Sequence, residues 1–325
     1  MAKVSIIIPV YNKEKYLKET LSSVDRQSDD DLEIIIIDDA STDNSFDIIN
    51  DFVSNTKKQT KVIKNDNNCG VAHCRNIGIE EAKSDYITFL DADDILDDNF
   101  IGVMLNRAKQ YYYVDFIRGN VCPFITENNK LNTILIGYYE GQIIVPGYNP
   151  NYVYEEIISC NGRLYKSDFI KNLRFVESSF EDYEFSLDTI ISSASILYTN
   201  RAIYNYRIIN DGKNVANFHN YFKIFSDYES IYDRILEKHP NLSFSISESI
   251  RKKQIYLHLN YLKVILNSDK SLIDRNDIIE TVLMYLKCKY QLLEEEIVNV
   301  IGKNVSSDLN KDELQQKIKN LLTKY

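Results

Sequence analysis

Three short segments dominated by β-branched and other apolar residues fall within the first ninety positions: Val4 to Val10, Glu33 to Ile37 and Tyr86 to Leu90. No other feature restricts the fold as much, because such runs predict strands buried on both faces. Helical patterns separate them. Glu14 to Val24 carries Leu17, Leu21 and Val24 at the spacing of one buried face. Ser41, Thr42 and Asp43 are suited to cap a second helix that runs to about Phe52. Lys61 to Lys64 predicts a short strand, Asn67-Asn68-Cys69-Gly70 a turn, and Val71 to Ala82 a third helix. Alternation of this kind predicts an α/β fold: a Rossmann-like, mostly parallel sheet with helices on both faces.

The pattern then weakens. Asp115 to Arg118 reads as a strand, and residues 124–158, rich in Asn, Gly and Tyr, as loops with short strands. Helices are expected over Ser167 to Asn172 and Asp182 to Ser193, and a strand pair or strand and turn over Ile196 to Tyr206. Beyond His219 the apolar spacing becomes helical, as in Ile255-Leu259-Leu262-Leu266 and Ile278-Val282-Tyr285-Leu286. The expected organisation is a catalytic domain over 1–218 and an all-α C-terminal region over 219–325, a lid or a dimerisation element.

Acids gather where the strands end. Asp38 and Asp39 close the second strand; Asp91, Asp93 and Asp94 follow the run ending at Leu90. Open α/β sheets bind ligands at these carboxyl ends. On an extended backbone Asp91 and Asp93 point the same way, and two carboxylates held together repel unless a cation lies between them. A hard divalent cation carrying a phosphate-bearing substrate fits that demand. The plainer alternative is helix capping and dipole compensation.

Charge and motifs exclude other classes. A formal net charge of -10 and a pI near 5.1 leave no basic excess for nucleic acid. There is no G-x-G-x-x-G, no phosphate-binding P-loop and no G-x-S-x-G, and only four histidines. A nucleotide would be held by carboxylates, a metal and the loop after the first strand, with Arg75 as the nearby cation. The five cysteines form no CxxC pair, and Cys69, His73 and Cys74 lack the second ligand pair of a zinc site. They read as reduced thiols of a cytoplasmic protein. No signal peptide is expected before the first strand, and no apolar stretch approaches the ~20 residues of a membrane span.

Ser5-Ile-Ile-Ile-Pro-Val-Tyr-Asn12, Ile37-Asp-Asp-Ala-Ser-Thr-Asp43, Gly70 through Arg75-Asn76-Ile77-Gly78, and Phe89-Leu-Asp-Ala-Asp-Asp94 follow one another in order. Together they resemble the successive motifs of inverting glycosyltransferases of family 2, with the A-type glycosyltransferase fold. Asn161-Gly-Arg-Leu-Tyr165, Phe180-Glu-Asp-Tyr183 and Tyr204-Asn-Tyr-Arg207 extend the resemblance more loosely. It implies that Pro9, Val10 and Tyr11 line the base and ribose, and that Asp39 accepts from the uracil ring N–H. Arg75, Asn68 and Ala92 would lie beside the donor. Asp91 would face the ribose or sugar, and Asp93, with Asp91, would hold Mn²⁺ or Mg²⁺ against the diphosphate. Glu181-Asp182 would supply the catalytic base, with Asp182 as that base, and Arg163 and Tyr165 would belong to the acceptor side.

The implied reaction moves a hexose or N-acetylhexosamine from a UDP-sugar to a hydroxyl of a glycan or glycoprotein. The membrane helices and R/Q-x-x-R-W element of processive relatives are missing, so one sugar per encounter is expected. A later histidine often completes the metal shell in such enzymes; His219, and less readily Asn214, stand nearest that role. A homodimer through the C-terminal helices is expected, and the tyrosines at 111–113, 138–139, 148, 152 and 154 could stack on sugars. A sugar-1-phosphate nucleotidyltransferase is the rival enzyme, but it needs a Gly-rich basic loop where this chain reads Pro9-Val-Tyr-Asn-Lys13. A non-catalytic carbohydrate-binding protein on the same fold is the other rival; retention of Asp91, Asp93 and Asp182 argues against it.

Overall fold

The computed structural model describes residues 3–28, 31–125, 129–130, 140–149, 152–153, 159–178, 180–209 and 221–266. In chain order the strands are β1 (Val4–Val10), β2 (Leu32–Asp38), β3 (Gln59–Lys64), β4 (Tyr86–Phe89), β5 (Ile95–Leu96), β6 (Phe116–Ile125), β7 (Asn129–Lys130), β8 (Ile143–Ile144), β9 (Arg163–Lys166) and β10 (Ile196–Ile208). The helices are α1 (Leu17–Asp25), α2 (Ser45–Asn55), α3 (Val71–Glu81), α4 (Phe100–Gln110), α5 (Ser167–Ile170), α6 (Glu181–Ser192), α7 (Tyr221–Lys238) and α8 (Phe244–Leu266).

One mixed sheet runs β3-β2-β1-β4-β9-β6-β10-β5. β3, β2, β1 and β4 are parallel, as expected. β9 then enters antiparallel to both β4 and β6, while β10 lies parallel to β6. Every residue of β1 and β2 is buried, which explains why their sequences lack a polar face. Leu17, Leu21 and Val24 of α1 pack into the same core as Ile6, Ile8, Ile34 and Ile36. On the other side α3 lies close to β1 because of Gly78: a Cβ there would come within 2.3 Å of the Ile7 side chain.

Several elements depart from expectation. α4 was not expected, and β10 is a single strand rather than a strand pair or a strand and turn. Its register with β6 jumps from Tyr198↔Arg118 to Ile203↔Asn120, so Thr199 to Ala202 pass a single residue, Gly119. Glu140 holds that bulge, accepting from the Thr199 hydroxyl at 3.0 Å and the Asn200 N–H at 2.8 Å.

The chain divides into two compact units, Met1–Asp211 with Glu237–Ile246, and Gly212–Leu236 with Ser247–Tyr325. Within the second unit Gln254 Nε2 donates to the Tyr228 carbonyl at 2.6 Å, and His258 Nε2 meets Glu229 Oε1 at 2.9 Å. The expected helices beyond Leu266, including Ile278, Val282, Tyr285 and Leu286, lie outside the described residues, as do the side chains of Leu259, Leu262 and Leu266. Among the described residues no helix is long and apolar enough to cross a membrane.

Candidate active site

β1 lies between β2 and β4, so the strand order turns back on itself there. The crevice outside the carboxyl ends of β1 and β4 is where a doubly wound sheet receives ligands. The loops at this edge are tied together. Asn12, held at φ 51, donates its N–H to Ser41 Oγ at 3.1 Å and accepts from the Thr42 N–H at 2.8 Å. The Lys13 N–H donates to Ser45 Oγ at 2.8 Å, and the Glu14 N–H to Asp43 Oδ2 at 3.0 Å. Asp43 also accepts from the Ser45 N–H at 2.9 Å from one position before the N-cap, which is Asn44 and has no capping side-chain bond of its own.

Asp39 is almost completely buried. Its Oδ1 accepts from Asn65 Nδ2 at 2.7 Å and the Cys69 N–H at 2.9 Å, and its Oδ2 from the Gly70 N–H at 2.9 Å. Gly70 adopts φ 91, a left-handed conformation that a Cβ would strain. Beneath the loop, burial and then the Asp39 charge push the Cys74 thiol up to about 12. Asp38 is fully buried, and neither of its side-chain oxygens has a hydrogen-bond partner among the described contacts. Pro9 and Val10 are buried in β1, whereas Tyr11 is 44% exposed and Asn68 lies exposed in the loop after β3.

Asp91 and Asp93 lie in a turn and meet different partners. The Asp94 N–H closes a turn onto the Asp91 carbonyl at 3.0 Å, so the backbone is not extended and the alternation expected of a strand is lost. Asp91 Oδ1 accepts from Arg75 Nη2 at 2.8 Å, and its Oδ2 from Asn161 Nδ2 at 2.7 Å. Asp93 instead pairs with Lys13 Nζ. Ala92 is buried between them. Asp94 is buried too, accepting from the Tyr204 hydroxyl at 2.5 Å and the Arg207 N–H at 2.7 Å. Burial, then the Asp91 charge, raises its carboxyl well above the ordinary range.

Arg75 is the hub. Its Nη1 donates to Glu181 Oε1 at 2.8 Å, so one buried guanidinium joins the turn after β4 to the first turn of α6. Burial opposes its charge, and Cys160, Asp91, Glu181 and Asp182 outweigh that opposition. The guanidinium lies 5.2 Å from the centre of the Phe175 ring. The Asn76 side-chain amide fixes the Phe175 backbone, its Nδ2 donating to the carbonyl and its Oδ1 accepting from the N–H, each at 2.9 Å. Phe175 stacks on Phe185 of α6 at 3.7 Å, and this aromatic contact orients the helix that carries Glu181 and Asp182. Asp182 has its carboxyl raised to about 6, first by burial and then by Glu181, with Arg75 pulling the other way.

Arg163 and Tyr165, expected toward an acceptor, are fully buried in β9. Arg163 Nη1 donates to Thr189 Oγ1 at 3.3 Å and its guanidinium lies over Phe116, so an acceptor cannot touch either residue in this arrangement. Tyr138, Tyr139 and Tyr154 of the expected stacking platform, and the metal-ligand candidates His219 and Asn214, lie outside the described residues. Sequence reasoning assigned no role to Asn161, Lys13 or Arg207, and it placed Asp94 at this strand end without foreseeing its burial. The signals for them were the runs Asn161-Gly-Arg, Tyr204-Asn-Tyr-Arg207 and Pro9-Val-Tyr-Asn-Lys13.

The Glycosyl transferase family 2 profile matches residues 5–161. An uncharacterized glycosyltransferase of Haemophilus influenzae is 35% identical over 203 residues, 62% of this chain and 78% of that one. The chain belongs to glycosyltransferase family 2. The glycosyltransferase GlyA of Streptococcus pneumoniae is 30% identical over 215 residues, which cover 63% of this chain and only 30% of GlyA. Among solved structures, Staphylococcus aureus TarS 1–349 in complex with UDP-GlcNAc superposes with a TM-score of 0.69 at 17% identity, covering 99% of this chain and 88% of that one. The fold of this family 2 glycosyltransferase is thus the A-type fold expected from its motifs.

Among the described residues, no three His, Cys, Asp or Glu side chains stand together as a metal cage. The oxygens of Asp93 and Asp91 are nonetheless the hard donors that Mg²⁺ and Mn²⁺ prefer. Magnesium in particular is commonly held by one or two carboxylates plus substrate phosphates. Asp93 carries the Lys13 ammonium group as its cation in this structure.

Proposed function

We propose that this protein is a metal-dependent inverting glycosyltransferase that moves a hexose or N-acetylhexosamine from a UDP-sugar to a hydroxyl of a glycan or glycoprotein. The observation that carries the reading is Asp182: a carboxyl raised to about 6 at the edge of the Arg75–Asp91–Glu181 cluster. A general base works best when its pKa lies near the working pH. Asp182 takes the proton of the acceptor hydroxyl as that oxygen attacks the anomeric carbon from the side opposite the diphosphate. Glu181 stays bound to Arg75, which leaves Asp182 as the acid of the pair without an ion-pair partner of its own among the described contacts.

On the donor side, Asp39 accepts from Asn65, the Cys69 N–H, the Gly70 N–H and the Cys74 thiol, and its Oδ2 carries the Gly70 N–H at 2.9 Å. In this reading Asp39 also accepts from the uracil ring N–H, in exchange for one of these partners. Tyr11 exposes its ring at the same edge to pack on the base. Pro9, Val10, Asn68 and Ala92 complete the donor surface. Asp91, braced by Arg75 and Asn161, faces the ribose or sugar. Asp93, with Asp91 beside it, would hold Mn²⁺ or Mg²⁺, which when bound neutralises charge gathering on the departing diphosphate. Self-association through the region after residue 218, with the Ile255-Leu259-Leu262-Leu266 segment at the contact, is proposed from the helical apolar spacing of the sequence. Truncation after residue 218 then yields a monomer by light scattering, and a truncated dimer contradicts it.

Asp182→Asn tests the catalytic assignment. Transfer should fall by about 10²–10⁴-fold while calorimetric UDP binding stays unchanged. Normal turnover in the variant would acquit Asp182. Anomeric analysis of the product by NMR would reject inversion if the configuration of the transferred sugar were retained.

A further inference from the structure

We infer that Lys13 is the resident counter-cation of Asp93, and that a divalent cation must displace it to reach that carboxylate. The inference rests on the metal role proposed for Asp93 and extends it to a residue outside the family motifs quoted above. The pair joins the loop after β1 to the turn after β4, across the crevice where the strand order reverses. Both ends are held. At one end the N–H groups of residues 12, 13 and 14 are tied to the side chains of Ser41, Ser45 and Asp43, in the loop after β2 and the first residue of α2, at 3.1, 2.8 and 3.0 Å. At the other, Arg207 Nε donates to the Asp93 carbonyl at 2.6 Å.

The two acids of the turn have unequal partners. Asp91 meets a guanidinium whose side chain is 4% exposed, together with the Asn161 amide. Asp93 meets a single ammonium on a flexible stem that is 33% exposed. Lysine is a compact point charge with rotatable donors, whereas the Arg75 fork is locked between two carboxylates. An entering divalent cation therefore exchanges with Lys13 and leaves Arg75 in place. Its doubled charge and direct coordination outweigh a partly exposed ion pair, which is individually weak. Lys13 accordingly lowers the metal affinity of the nucleotide-free enzyme.

Mn²⁺ titration of the nucleotide-free full-length protein tests this, read from loss of the free-ion electron paramagnetic resonance signal. Lys13→Met should tighten Mn²⁺ binding about two- to fivefold, the size of one partly exposed ion pair. Lys15→Met, an equal charge change at an exposed position two residues along, should leave binding as in the native protein. Lys13→Gln repeats the measurement should the methionine variant misfold. Equal or weaker binding in the Lys13 variants, or equal tightening in Lys15→Met, overturns the exchange. Asp93→Ala separates this from the proposal beneath it. Loss of Mn²⁺ in that variant upholds the metal role, and native-like binding overturns that role and the Lys13 inference with it.

Discussion

In β3-β2-β1-β4 the sheet is parallel and its central strands are filled by consecutive isoleucines, whereas in β9-β6-β10-β5 neighbouring strands run both ways and the interior holds polar side chains. Ile6, Ile7, Ile8 and Ile34 to Ile37 are fully buried in the first half. The second half buries Arg118, Asn120, Arg163, Thr199, Asn205 and Arg207. Apolar burial is non-directional and depends on area, so the first half forms from a pattern that local sequence carries. The second half depends on hydrogen bonds between residues far apart in the chain, and buried polar groups are costly when a partner is lost. The site draws on both: the first half supplies Asp39, Arg75, Asp91 and Asp93, and the second supplies Asn161, Asp182, Tyr204 and Arg207.

The tie between the halves can be cut. Arg75→Met should have the largest effect, because it leaves Asp91 and Glu181 without the guanidinium they share. Removing one partner of a buried ion pair costs about 3–5 kcal/mol. Denaturant unfolding should show a loss of that order together with lost UDP binding, and a native midpoint would mean that the halves hold together without it. Arg207→Met should cost less. It removes hydrogen bonds to the Asp93 carbonyl and Glu19 but keeps the backbone N–H that serves Asp94. A loss of about 1.5–3 kcal/mol is expected, with weaker metal-dependent UDP binding from a looser turn. Unchanged donor binding would show that the turn after β4 is held by the first half alone.

This contrast also explains what the sequence made legible. β1, β2 and β4 are visible because residues buried on both faces read as apolar runs. β9 is hidden: Arg163-Leu-Tyr-Lys166 looks polar, yet it lies in mid-sheet with Arg163 covered by Phe116 and bonded to Thr189. β10 reads as two strands because Thr199-Asn200-Arg201 has turn composition, and only Glu140, some sixty residues away, turns that segment into a bulge. α4 did carry a signal in Phe100, Ile101, Met104, Leu105 and Ala108, a helical stripe absent from the expected elements. Within the site, residue types at the strand ends were readable. Which acid meets which cation was not, since Arg75 and Glu181 are 106 residues apart and Asp93 and Lys13 are 80 apart.

Asp182 links this geometry to both stability and rate. Its carboxyl is raised in the fold, so the native state binds the proton more tightly than the unfolded chain does. The stability associated with that proton is present at low pH and is lost as pH rises from the unfolded value near 3.8 through about 6. Asp182→Asn should therefore stabilise the protein at neutral pH, by roughly 1–3 kcal/mol. An acid serving only the N-terminus of α6 would give the opposite sign.

The pH dependence of transfer under kcat/KM conditions tests the assignment of Asp182 most directly. The native enzyme should show a rising limb with a midpoint near 6, where Asp182 loses its proton, and the residual rate of Asp182→Asn should lack it. A limb near the ordinary aspartate value of 4, or one that survives in the asparagine variant, would contradict the account.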